Sequence, residues 1–189
     1  MSKFILGVIV GLLIPAAIGY GYFRLGYAPV ATASAPMPFE ETIAKLALRA
    51  RMQKEAPKTN PPVPADETNL AQGAAIYLEN CAFCHGLPNQ KATLAAKGMF
   101  PLPPQLFSPD EMVTHDRIGG IYWKVSNGIR MTGMPGFGEM LSSNQVWQVS
   151  LLLKNANKLP PQAQSVLSRS AEPAQAAQAP ATVQPRRKK

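Results

Sequence analysis

Cys81-Ala82-Phe83-Cys84-His85 holds both cysteines of the chain and one of its two histidines. Two thiols separated by two residues, followed at once by His, is the spacing at which a porphyrin is attached covalently. The two intervening residues let both sulfurs reach the two vinyl positions of one porphyrin as thioethers. His85 is then carried beneath the ring, where its imidazole can bind iron as the proximal ligand. Other chemistries use the same residue types. A zinc site takes four ligands; beyond this motif the chain offers only His115, and adjacent Cys84 and His85 chelate one ion poorly. A thioredoxin-like pair needs a βαβ context, and none is nearby. A structural disulfide outside the cytoplasm is the remaining alternative. The motif and the residues downstream of it favour one covalent haem c, with its iron.

A proximal His leaves one axial position, and a Met thioether is the usual partner where the iron transfers electrons. Five of the eight methionines lie beyond the motif: Met99, Met112, Met131, Met134 and Met140. Met134 is favoured, in Gly133-Met134-Pro135-Gly136-Phe137-Gly138. That stretch is too rich in Gly and Pro for a helix or strand interior. A loop of this kind can pass close to a flat cofactor face. His115 is the rival and would give a bis-His haem, although Thr114-His115-Asp116 reads better as an exposed helix start.

Three segments carry a resemblance. Gly73-Ala74-Ala75-Ile76-Tyr77 leads to the Cys81–His85 motif and Gly86. Asn127-Gly128-Ile129-Arg130-Met131-Thr132-Gly133-Met134-Pro135 comes next, then a helix bearing Trp147. In this order and spacing, about Asp66 to Lys158 resembles a class I c-type cytochrome domain. The resemblance implies an all-α fold, a helical wrap around one covalent haem. It implies His85 and Met134 as the axial ligands and Cys81 and Cys84 as the thioether attachments.

The elements that must position these residues are legible as patterns. A first helix is expected over about 69–81, with Asn69 as cap and Gln72 completing a capping box. Gly73 is a poor mid-helix residue unless another helix crosses there; in the resembling family that is the last helix of the domain. Ile118, Ile121, Tyr122 and Val125 give a middle helix over about 116–127, stopped by Gly128. Ser142 and Gln145 announce the last helix, with Val146, Val149, Leu152 and Leu153 on one face and Trp147 as a packing residue. The Pro-rich run from Leu87 to Thr114 is expected to fold over one haem edge. One of its carbonyls can fix the orientation of His85.

Upstream, Phe4 to Phe23 is an uncharged, mainly apolar run, which as a helix would rise roughly 30 Å. Residues 1–27 are therefore expected to be a retained transmembrane signal-anchor. A cleaved signal peptide ending near Ala31-Thr32-Ala33 is the alternative. Residues 28–65 are expected to form a stalk: a helix over 39–56, then an extended Pro-rich linker. Residues 66–158 are expected to form the cytochrome domain. Residues 159–189, rich in Ala, Pro and Gln and ending Arg186-Arg187-Lys188-Lys189, are expected to be a disordered tail.

The net charge is +8, but its distribution speaks against nucleic acid. Residues 66–158 carry 7 basic and 7 acidic side chains, against 7 and 3 before them and 5 and 1 after. The excess lies outside the haem region, and no nucleic-acid motif accompanies it.

These readings lead to a membrane-tethered electron carrier rather than an enzyme. Its partners are a redox protein donor and acceptor in or at the membrane, with no small-molecule substrate. The resemblance places it in a bacterial inner membrane by a single span, with the haem domain on the periplasmic side. The alternatives are a haem-bearing subunit of a larger respiratory oxidoreductase, or an open-site haem peroxidase or gas sensor.

Overall fold

The computed structural model describes residues 1–109 and 113–169. Among them there are eight α-helices, one 3₁₀ turn at Val113–His115 and no strand. The chain divides into two compact units, Met1–Ala47 and the part from Leu48 onward. In the first unit, α1 (Ser2–Arg24) is a 23-residue helix with Pro15 inside it and no buried residue. It is long and apolar enough to cross a membrane. A helix of such composition needs an apolar solvent around it.

The helix α2 (Glu40–Glu55) begins after Phe39, whose φ is +65°. Its turns from Leu48 belong to the second unit. The helix expected over 39–56 is present, and the compact unit reaches further upstream than the expected boundary at residue 66. Met52, Glu55 and Pro57 meet the middle helix, and Val63 of the linker packs partly buried against the core. The compact unit thus begins well before residue 66.

That unit is built on α3 (Glu67–Asn80), α6 (Ile118–Asn127), α7 (Ser143–Lys154) and α8 (Pro161–Arg169). The cap of α3 is Asp66, whose carboxylate accepts from the Asn69 N–H at 2.8 Å. Asn69 is instead inside the helix and accepts from the Gln148 side chain of α7 at 2.9 Å. A carboxylate at the helix start satisfies an orphan N–H and complements the dipole, so Asp66 outcompetes Asn69. The capping box of α7 is present as read, with Ser142 and Gln145 each accepting from the other's backbone N–H.

α3 and α7 cross at Gly73. A Cβ there would overlap the Gln148 carbonyl and press on Leu152. Around the crossing Ala74, Tyr77, Val149 and Leu152 are fully buried. Trp147 is buried too and stacks on Tyr122 of α6, ring centroids 4.2 Å apart.

The tail expectation fails over its first part. α8 lies on α3 with Ala163 and Leu167 buried, and its Gln162 N–H donates to Glu67. Ala163, Val166 and Leu167 recur at helical spacing, a stripe hidden within an otherwise polar, Pro-rich composition. The remainder of the expected tail, residues 170–189, lies outside the described residues.

Candidate haem site

α3 ends in the haem motif. Cys81 is its C-cap, with its N–H bonded to the Tyr77 carbonyl at 2.8 Å. A single turn, α4 (Ala82–His85), comes at once, and a second, α5 (Leu94–Lys97), follows downstream. Both the Cys84 and His85 N–H groups return to the Cys81 carbonyl, at 3.1 and 2.9 Å. In a helical turn, positions i, i+3 and i+4 share a face. Cys81, Cys84 and His85 stand at that spacing, and all three line one cavity of about 310 Å³.

The turn is held from behind. Gly86 ends it at φ +70°, in space that a side chain would contest with Gln105. The Tyr77 hydroxyl donates to the Gly86 carbonyl at 2.7 Å. The Gln105 amide donates to the Cys84 carbonyl at 3.3 Å, and its Oε1 is buried without a hydrogen-bond partner. His85 Nδ1 lies 2.8 Å from the Pro104 carbonyl. A carbonyl only accepts, so Nδ1 carries the proton and the Nε2 lone pair is set up for a metal. Pro104 is thus the carbonyl whose existence, but not position, the Pro-rich run announces.

Met134 lines the same cavity. Its loop is pinned to the C-terminus of α6. The Phe137 and Gly138 N–H groups donate to the Val125 and Ser126 carbonyls, each at 2.9 Å. The Thr132 hydroxyl donates to the Ile129 carbonyl at 2.7 Å and accepts from the Met134 N–H at 3.1 Å. The loop glycines serve this docking: a Cβ on Gly136 would stand 2.8 Å from the Asn127 carbonyl carbon. Gly128 takes φ +66°, a conformation suited to glycine. At Gly128 and Gly136 the close approach is to backbone.

Met131, on the same loop, is 90 % exposed, and Met140 is also exposed. Met99 lines the cavity, beside Gly133. His115 does not line it. Met112 lies outside the described residues.

Apolar side chains make up most of the wall, including Leu106, Ile121, Val125 and Phe137. A small charged group sits at one place in it. Lys124 Nζ lies 2.8 Å from Asp116 Oδ2, and Lys154 donates to the carbonyls of Thr114 and Asp116 at 2.7 and 2.8 Å. Burial, with the neighbouring Cys84, pushes the Cys81 thiol up to about 12. Burial likewise raises the Tyr77 phenol. Both groups are therefore neutral at pH 7 in the protein chain.

The donor set fits a covalently held haem: two thiols, one oriented imidazole and a thioether around an apolar cavity. A bare-ion site fits less well. Among the described residues no three His, Cys, Asp or Glu side chains are grouped to hold a metal ion, and the two cysteines are not joined in a disulfide. The sequence reading weighed Met99 among the methionines but missed Gln105, Leu48 and the Lys124–Asp116 pair as residues around the cavity. Only the i, i+3, i+4 face of α6, which carries Ile121, Lys124 and Val125, offered a local signal.

Residues 68–151 match the family described as cytochrome c oxidase, cbb3-type, subunit III. No curated protein and no solved structure matches the chain. Over this stretch, under half of the chain, the match supports a c-type cytochrome domain of the kind that binds covalent haem c, and ahead of it in the chain stands an apolar helix long enough to cross a membrane.

Proposed function

We propose that this cytochrome is a membrane-tethered electron carrier with one haem c. In this reading Cys81 and Cys84 are the thioether attachments, and His85 and Met134 the axial ligands. The carrying observation is the meeting of the Cys81, Cys84 and His85 side chains with that of the sequence-distant Met134 in one apolar cavity. Haem iron supplies one-electron chemistry at a potential set by its ligands and surroundings.

The chain's own residues do the rest. Pro104 fixes the tautomer and plane of His85 through its 2.8 Å hydrogen bond. The docked Met134 loop offers a thioether from the end of α6 and excludes other ligands. The apolar wall lowers the local dielectric. A dry site disfavours the extra positive charge of the ferric state and so raises the potential.

The haem domain faces the periplasm in this reading, because haem attachment to such motifs occurs outside the bacterial cytoplasm in the resembling family. One anchor helix then keeps the carrier near its membrane redox partners and raises its effective concentration there. A second reading, the haem-bearing subunit of a larger respiratory oxidoreductase, draws on the description of the matched family.

The optical spectrum of the detergent-purified ferric protein tests the ligand set. The weak far-red band of a Met–iron bond is the expected result. A low-spin spectrum without it points to a different strong ligand, and a high-spin spectrum to an open-site enzyme or sensor. Co-purification of a stable partner complex in mild detergent decides between carrier and subunit.

A further inference from the structure

The segment before the cytochrome domain is fastened to the haem cavity, and three contacts carry the fastening. Gly119 of α6 meets the Pro57 carbonyl so closely that a Cβ at 119 would overlap it. One residue on, Gly120 meets the tip of Met52; a Cβ there would lie 3.5 Å from Met52 Cε. One turn further, the Trp123 indole N–H donates to Glu55 Oε2 at 3.2 Å. Arg51 holds the other oxygen of that carboxylate at 2.7 Å. At the head of this segment, Leu48 lines the cavity itself.

We infer that residues 48–57 form a strap that closes one wall of the haem cavity, with Leu48 a positioning residue that keeps water from the cofactor and holds its potential up. This rests on the haem reading proposed above and deepens it. Two consecutive glycines are a costly choice in the first turn of a ten-residue helix. At Gly119 the missing side chain is what lets the Pro57 carbonyl approach, and at Gly120 its absence leaves Met52 in ordinary contact with the helix. Leu48 also lies outside the matched residues 68–151, so the strap lies outside the stretch that carries the family match. An apolar side chain over a haem edge disfavours the ferric state, because that state carries one more positive charge into a poorly solvated place.

The test uses the full-length, haem-loaded protein in detergent and two variants, Leu48→Gln and Gly119→Val. Amide exchange of residues 48–56 is read by mass spectrometry, and the midpoint potential by spectroscopic titration. The wild-type segment is expected to exchange slowly, since so short a piece of helix does not protect itself in water. Gly119→Val is expected to quicken that exchange by roughly tenfold or more and to lower the potential. Leu48→Gln is expected to lower the potential while leaving the exchange nearly unchanged.

Free-peptide exchange rates in the wild type would overturn the strap. So would a Gly119→Val protein whose strap loosens while its potential stays put. If Gly119→Val yields no loaded protein, an unchanged potential in Leu48→Gln decides against the shielding role. A wild-type protein without a c-type haem spectrum is a different failure. It sinks the haem reading, and with it the shielding role, while the exchange data still report whether the strap is docked.

Discussion

The α3–α7 crossing and the wall made by α4, α6 and the Met134 loop both depend on glycine, but they close against different things. At the crossing Gly73 admits the backbone of Gln148, and the surrounding Tyr77, Val149 and Leu152 are fully buried in protein. At the wall Gly128 and Gly136 admit only the loop's own return to α6, and the side chains of Ile121, Val125 and Met134 face a cavity. The crossing is completed by the chain's own atoms. The wall is shaped to be completed by a cofactor. Changes at the first should therefore act on stability, and changes at the second on spectrum and potential.

The strongest break is Gly73→Val. Its branched Cβ meets backbone, which cannot move aside like a flexible side chain. Overpacking of this kind should cost more than about 3 kcal/mol and lower the Tm by more than about 10 °C. A thermal melt followed by circular dichroism checks it. An unchanged Tm would mean that the crossing is looser than described.

Met134→Ala addresses the other region. The expected outcome is loss of the far-red band and a lower midpoint potential, with the helical circular dichroism spectrum retained. Survival of the band would assign the thioether to another residue, and Met99 is the methionine already lining the cavity.

Tyr77 joins the two regions, since its ring is in the core and its hydroxyl holds Gly86 behind the motif. Tyr77→Phe should cost about 1–3 kcal/mol through the Gly86 carbonyl left without its partner, read as a shift in urea midpoint. The same side chain gives an alkaline signature. Burial raises its pKa in the folded chain, so the unfolded chain loses this proton first. The contribution is fully present below pH about 10 and falls as the pH rises above it. Tyr77→Phe should flatten that fall between neutral and strongly alkaline solution.

The smallest effect is at the entrance of α7. Ser142→Ala removes the hydroxyl that accepts from the Gln145 N–H at 3.3 Å. A loss of about 1 kcal/mol is expected, with the optical spectrum unmoved. A shifted spectrum would show that the core crossing and the haem wall are coupled through α7.

Much of the site was legible before any fold. The haem motif places its three functional side chains at i, i+3 and i+4, so one helical turn is enough to bring them to one face. The middle helix stops at Gly128, and the Ser142–Gln145 box starts the last one, because both signals act within a few residues. The crossing at Gly73 could be anticipated because glycine in a helix interior is otherwise unfavourable.

Local rules failed where two acceptors competed or where contacts span the chain. Asp66 and Asn69 both have N-cap chemistry, and only the backbone path assigns the role to Asp66. The contacts of the stalk's end and of the segment read as a disordered tail were not legible locally: Pro57 meets Gly119, and Ala163 and Leu167 are buried in the helix that lies on α3.

The sequence by itself therefore determined the spacing of a haem-attachment motif, an apolar helix of membrane-spanning length and the local starts and stops of the domain's helices. Only the tertiary structure decided which carbonyl orients His85, that Met134 faces the cavity while Met131 faces solvent, that His115 stands apart from it, and that Leu48 closes a wall. The physical reason is range. Capping, periodicity and helical register are set within one or two turns, whereas a cavity wall is made by side chains that meet only after the chain has folded back on itself.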